Sequence, residues 1–221
     1  LGHELFRSCG RNHETNRGSV IMGYKIIVFL INCFMRLIFR ISVEGKENVP
    51  MEGSAIIAVN HRSNWDPVLI GMSCPRKLRY MAKAELFKPK LVGALLKSLG
   101  AFPIHRGTGD VGAIKGALTI LRSEHPMLIF PEGKRVRDGK EVQAKPGAVM
   151  LAIKTKTPVV PVCISGGYHF WSKIVIHYGK PIEYPAYYGE KVVVETLQIL
   201  SDDLMKTIRS YRVDLGRRKK V

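Results

Sequence analysis

The chain has 221 residues, 46% of them hydrophobic, with Gly 21 and Pro 12 close to ordinary globular usage. That composition excludes a disordered polymer, a collagen-like repeat and a disulfide-built miniprotein, and leaves one domain with a sizeable core. Charge is the anomaly: 35 Lys plus Arg against 18 Asp plus Glu leave +17 at neutral pH, which implies an anionic partner such as nucleic acid, a phospholipid surface or a phosphorylated substrate.

Residues 1–21 carry no apolar period and are expected to be a tail, disordered or appended ahead of the natural start. Residues 22–43 are expected to associate with a membrane. Positions 26–35, IIVFLINCFM, are apolar except Asn32, and Arg36 and Arg40 then interrupt the run. A bilayer crossing needs about 20 apolar residues, so a helix over 24–43 is expected to lie in the membrane interface, its arginines reaching up to phosphates. An ordinary buried helix is the competing reading.

Residues 44–221 form the rest of the fold. β-type apolar runs occur at 55–59, 78–82, 101–104, 127–130, 158–163 and 173–178. Helix-period stretches lie between several of them: Ile114, Ala117, Leu118 and Leu121 share one face, and Val193, Leu197, Leu200, Leu204 and Ile208 share another. Alternating strands and helices indicate an α/β sheet covered by helices, without a domain boundary or an internal repeat. Cys9, Cys33, Cys74 and Cys163 have neither C-x-x-C nor His-paired spacing, so they encode no zinc ribbon or disulfide framework and read as packing residues in a reducing compartment.

The chemistry begins after the first run, at Asn60-His61-Arg62-Ser63-Asn64-Trp65-Asp66-Pro67. Residues five apart sit about 140° apart around an α-helix, so His61 and Asp66 can meet only across a turn. Pro67 supports a turn, because it pushes the preceding residue out of the α region; Asp66 then reads as an N-cap and Pro67 as the first helical position. A carboxylate brought back to an imidazole fixes its tautomer, so that the other ring nitrogen can take a proton from a hydroxyl. The plainer alternative makes Asp66 only a cap and His61 only a strand-end hydrogen bonder.

Residues 60–67 resemble the H-x-x-x-x-D signature of the glycerolipid acyltransferases, most closely the 1-acylglycerol-3-phosphate acyltransferases. Further blocks agree in order: GAFPIHR at Gly100–Arg106, FPEGKR at Phe130–Arg135 with Lys134 where Thr is common, and VPV at Val160–Val162. MAKAELF at Met81–Phe87 and AKPG at Ala144–Gly147 resemble accompanying stretches, so the likeness spans about residues 43–185. It implies an α/β fold with a mixed central sheet covered by helices and an N-terminal interfacial helix. It also implies a His61/Asp66 general-base pair, and an acceptor site made by Lys83, Arg106, Glu132, Gly133 and Arg135. The cations suit a phosphate; Glu132, which would repel one, is expected to orient Arg106 or Arg135 or to bond a glycerol hydroxyl. Gly133 is expected to allow close backbone approach in a tight turn.

The activity implied is transfer of a fatty acyl group from acyl-CoA or acyl carrier protein to the 2-hydroxyl of lysophosphatidic acid. It needs no metal or cofactor, and is placed on an anionic phospholipid membrane at the cytoplasmic face, with no specific nucleic acid partner. Another lysolipid or glycerol-3-phosphate is an alternative acceptor, and water, making the protein a thioesterase, is a third. From a different class, a basic module for nucleic acid or membrane would use Gly216–Lys220, GRRKK, as a contact tail, but leaves FPEG and the His/Asp turn unexplained. Gly107–Gly112 spells G-x-G-x-x-G, the dinucleotide fingerprint, yet Arg106 precedes it and the strand is not the first of a nucleotide-binding half; a loop with Asp110 capping the next helix is the simpler reading.

Overall fold

A computed structural model describes residues 26, 28–104, 111–136 and 142–215. The expected tail 1–21, Arg106, the glycines and Asp110 of the loop before Val111, and the GRRKK tail lie outside the described residues. The chain enters through helix α1, residues 28–38. Strands β1 (Arg40–Glu44) and β2 (Ile56–Val59) follow, then α2 (Asp66–Ser73), β3 (Arg79–Lys83), α3 (Lys90–Ser98) and β4 (Ala101–Ile104). The second half runs α4 (Val111–Arg122), β5 (Met127–Ile129), α5 (Gly147–Thr155), β6 (Val159–Gly166), β7 (Lys173–Tyr178) and α6 (Val194–Ser210).

One seven-stranded sheet has the order β1-β7-β6-β2-β5-β3-β4. β6, β2, β5, β3 and β4 are parallel neighbours, whereas β7 is antiparallel to β6 and β1 is parallel to β7. The sheet is therefore mixed, as expected. β2 is buried along its whole length, which is why it reads as an unbroken apolar run. Its alternate residues serve two cores. Ile57 and Val59 face α1 and α2, while Ile56 and Ala58 face α4, α5 and α6. Helices on both faces close a three-layer α/β domain.

One expectation is corrected. The helix drawn over 24–43 ends at residue 38, and Arg40 to Glu44 pair in parallel with Lys173 to His177 as β1. Ile41 and Val43 alternate with Ser42, a strand period, and the open edge of β7 offers backbone partners that a helix continuing outward would leave unmatched. Arg40 thus belongs to the sheet and not to the helix that carries Arg36. Among the described residues no helix is long and apolar enough to cross a membrane.

Strand direction positions the site. β2, β3, β5 and β6 all finish on one edge of the sheet, and β7 and β1, running the other way, begin there. Loops leaving the carboxyl ends of parallel strands form the usual ligand crevice of such sheets.

Candidate active site

β2 ends at Val59, and the next side chain prolongs its pairing to β6. Asn60 donates through Nδ2 to the Ile164 carbonyl at 3.0 Å and accepts from the Ile164 N–H at 2.7 Å, so its amide imitates one more ladder residue. This holds the chain where it leaves the sheet. Residues 61–65 then turn, and α2 starts at Asp66.

The turn brings His61 and Asp66 together, with Nδ1 2.9 Å from Oδ2. Asp66 differs from the expected cap. Trp65 occupies the N-cap position without a side-chain cap bond, and the Asp66 carboxylate, in the first turn of α2, points backward into the loop. Its Oδ2 accepts from the Arg62 N–H at 2.6 Å and the Ser63 N–H at 2.7 Å as well as from His61. Its Oδ1 accepts from the Tyr168 hydroxyl. The carboxylate is fully buried, which is tolerable because donors surround it and the helix N-terminus favours negative charge. A carboxylate that only accepts leaves Nδ1 to donate, so the lone pair of His61 sits on Nε2.

Three contacts from Phe130–Val136 hold His61 from the other side. Phe130 stacks on the imidazole, centroids 4.1 Å apart and planes 22° from parallel. The His61 N–H donates to Glu132 Oε2 at 2.7 Å, and the His61 carbonyl accepts from the Val136 N–H at 2.7 Å. Glu132 is buried and bonds the backbone of His61; Arg106, one of the cations it was expected to orient, lies outside the described residues, and Arg135 is exposed on the same turn. A strand-end N–H shielded from water needs an acceptor, and the third block supplies it. Gly133 has φ 66, a left-handed conformation that favours glycine in this tight turn, and the flexible end of Lys145 lies across it, with Cε 2.7 Å from where a Cβ would stand. Lys83 ends β3 on the same edge of the sheet.

Burial pushes the Glu132 carboxyl above its ordinary value, against the His61 N–H bond and the charges of Arg209 and His61, which pull it down, while Asp66 adds to the rise. The folded protein then keeps this proton over a pH range where the unfolded chain has lost it. The group's contribution to stability is fully present below the ordinary glutamate range and falls as pH rises through the raised folded value. Glu132→Gln keeps an oxygen for the His61 N–H and removes that slope. Calorimetry over about pH 4 to 8 is expected to show a flatter Tm profile than the parent's, and a Tm at neutral pH equal to or above it. An unchanged slope would assign the pH dependence to other groups.

The sequence reading passed over Asn60, Phe130 and Tyr168. Asn60 and Phe130 open the first and third blocks, and their position beside His61 and Glu132 is a local signal for a supporting role, but Tyr168 lies 102 residues from Asp66 and has no local signal. Burial pushes the Cys74 thiol up to about 11 and raises that of Cys163 as well, so neither supplies a thiolate near neutral pH. Among the described residues no group of three or more His, Cys, Asp or Glu could hold a metal ion.

A family model, Acyltransferase, matches residues 40–165, more than half of the chain and all of the His61, Asp66 and Glu132 arrangement. The chain belongs to the Acyltransferase family. This acyltransferase is 33% identical over 144 residues to a Bacillus subtilis protein named 1-acyl-sn-glycerol-3-phosphate acyltransferase, covering 65% of the chain and 71% of that protein. A Streptococcus pneumoniae protein of the same name is 31% identical over 135 residues, covering 58% of the chain and 50% of that protein. The mouse 1-acyl-sn-glycerol-3-phosphate acyltransferase alpha is 29% identical over 163 residues, covering 71% of the chain and 56% of that protein. The chain thus spans between half and three quarters of the length of these three relatives. In fold, the acyltransferase matches the crystal structure of the 1-acyl-sn-glycerophosphate acyltransferase PlsC from Thermotoga maritima, with TM-score 0.66, 24% identity, and coverage of 90% of this chain and 91% of that one. The family match ends just before Tyr168, so the tyrosine that completes the Asp66 network lies beyond the matched range.

Proposed function

We propose that this acyltransferase moves a fatty acyl group from acyl-CoA or acyl carrier protein to the 2-hydroxyl of 1-acylglycerol-3-phosphate, giving phosphatidic acid. His61 Nε2 takes the hydroxyl proton while the oxygen attacks the thioester carbonyl. The new ester C–O bond forms, the C–S bond breaks, and the imidazolium returns the proton to the leaving thiolate. Asp66 keeps the ring oriented and offsets its charge during transfer. The step draws on two side chains and the reactivity of the thioester, with the acyl carrier as co-substrate and with no metal or bound cofactor assigned a part.

The observation that carries this reading is the pairing of His61 Nδ1 with a buried, fully bonded Asp66 at the carboxyl edge of the central strand. Lys83, Arg106 and Arg135 are proposed to bind the acceptor phosphate, and Gly133 to let it approach the turn. Glu132 is proposed to act through the His61 backbone and not on the acceptor. The relatives' names support lysophosphatidic acid as the acceptor. The protein is proposed to work on the cytoplasmic face of an anionic membrane without crossing it.

The test is incubation of the purified chain with palmitoyl-CoA or palmitoyl carrier protein and a panel of lysolipids and glycerol-3-phosphate, with products separated by chromatography. Phosphatidic acid is the expected main product. Free thiol released equally with and without acceptor would make the protein a thioesterase instead.

A further inference from the structure

The β6–β7 connection, residues 167–172, is built on the catalytic edge of the sheet, and it faces two ways. Inward, Tyr168 donates to Asp66. Outward, Phe170 and Trp171 are 79% and 52% exposed, an aromatic pair that no core residue covers. Trp171 stands at φ 60, a conformation that a bulky residue seldom adopts unless its surroundings impose it. Those surroundings are the end of α1: the Trp171 N–H donates to the Ile38 carbonyl at 2.6 Å, and the Ser172 carbonyl accepts from the Arg40 N–H at 2.9 Å. The loop is therefore fastened to α1, whose Phe34 and Leu37 are likewise exposed.

Beside this apolar ridge lies a pocket lined by Arg36, Arg40 and Lys173, with Phe39, Ile41 and Ser42 between them. Its three cations come from a helix, an edge strand and the start of another strand, brought together because Arg40 is the register partner of Lys173. Among the described residues none of the three makes an ion pair with a carboxylate; Arg36 donates through Nε to the neutral Asn32 Oδ1 at 2.7 Å, which leaves its charge uncompensated. The ring plane of a tryptophan suits the headgroup level of a bilayer, and a guanidinium pair suits a lipid phosphate.

We infer that the pocket of Arg36, Arg40 and Lys173 holds the phosphate of an anionic bilayer lipid while Phe170 and Trp171 enter the same leaflet, a docking site separate from the acceptor site. This builds on the membrane placement proposed above and adds a second contact beyond α1. It also ties docking to chemistry, because the inserting loop carries the tyrosine that holds Asp66.

The experiment uses the full chain carrying Trp65→Phe, so that Trp171 is the sole tryptophan of the two. Vesicles of phosphatidylcholine, with and without phosphatidylglycerol, contain lipids brominated on their acyl chains. Trp171 fluorescence is expected to be quenched strongly with phosphatidylglycerol and weakly without it. Arg36→Gln/Arg40→Gln/Lys173→Gln is expected to weaken partition into the anionic vesicles by roughly 100-fold, and Lys173→Gln alone by roughly fivefold, at about one fivefold step per cation near an anionic surface. Phe170→Ser should reduce quenching, with the circular dichroism spectrum unchanged. Inorganic phosphate that protects Lys173 from acylation without any vesicle quenching would mean a site for a free anion and would overturn the lipid assignment. Equal quenching in both vesicle types, or a triple variant that partitions like the parent, would overturn it too. The measurement is repeated on His61→Ala protein, which should dock normally, so failure of docking and failure of the proposed acyl transfer appear as separate results.

Discussion

His61→Ala protein is expected to lose at least about 100-fold in turnover with palmitoyl thioester and lysophosphatidic acid, the lower bound for removing a positioned general base. The substitution acts on chemistry more than on fold. His61 is partly exposed, and its loss leaves Asp66 with the Arg62 and Ser63 N–H groups and the Tyr168 hydroxyl as donors. The backbone of residue 61 can still bond Glu132 and Val136, so the third block should stay docked. Circular dichroism is accordingly expected to match the parent, with the acceptor KM changed far less than kcat. Steady-state kinetics with purified parent and variant decide the matter: equal turnover ends the assignment of His61 as base.

Asp66→Asn is expected to damage both stability and turnover. Four donors converge on the parent carboxylate, three on Oδ2 and one on Oδ1, in a site closed to water. An amide of the same shape sets its own N–H2 against at least one of them, leaving a buried donor unmatched and removing the charge that the others were arranged around. Losses of this kind cost about 3 kcal/mol, which in a domain of this size lowers Tm by roughly 6–12 °C. Turnover should fall as far as in His61→Ala, because the imidazole loses the acceptor that fixes Nδ1 as its donor nitrogen. Thermal unfolding and kcat are measured on the same preparation. A variant that unfolds at the parent temperature would mean that the network contributes little to the fold, and one with parental turnover would remove Asp66 from the mechanism.

These effects differ in how far they could be foreseen. The His61–Asp66 meeting was legible because it is local: five residues apart, the two side chains can meet only across a turn, and Pro67 fits the first turn of a helix but not its interior, so the helix begins near it and not at His61. The six strand runs after residue 50 were legible through short, mostly apolar stretches, unbroken in β2 and β6, which are buried along most of their length. β1 was not, since RISVE is a short alternating stretch directly after the helical run and its strand character depends on an edge offered by β7, residues distant in the chain. The bond of Glu132 to the His61 backbone was not legible for a related reason. A carboxylate among cations suggests an ion pair, whereas its partner is a backbone N–H 71 residues away.

Length, charge, the ordered blocks and the alternation of strands and helices were readable from the residues because each follows from local sterics, periodicity or composition. The grip of Glu132 and Phe130 on His61, the Tyr168 bond to Asp66, and the cluster of Arg36, Arg40 and Lys173 depend on the order in which the strands assemble. A buried polar group must find a partner, but which partner it finds depends on what the folded sheet places beside it, and no local pattern carries that information.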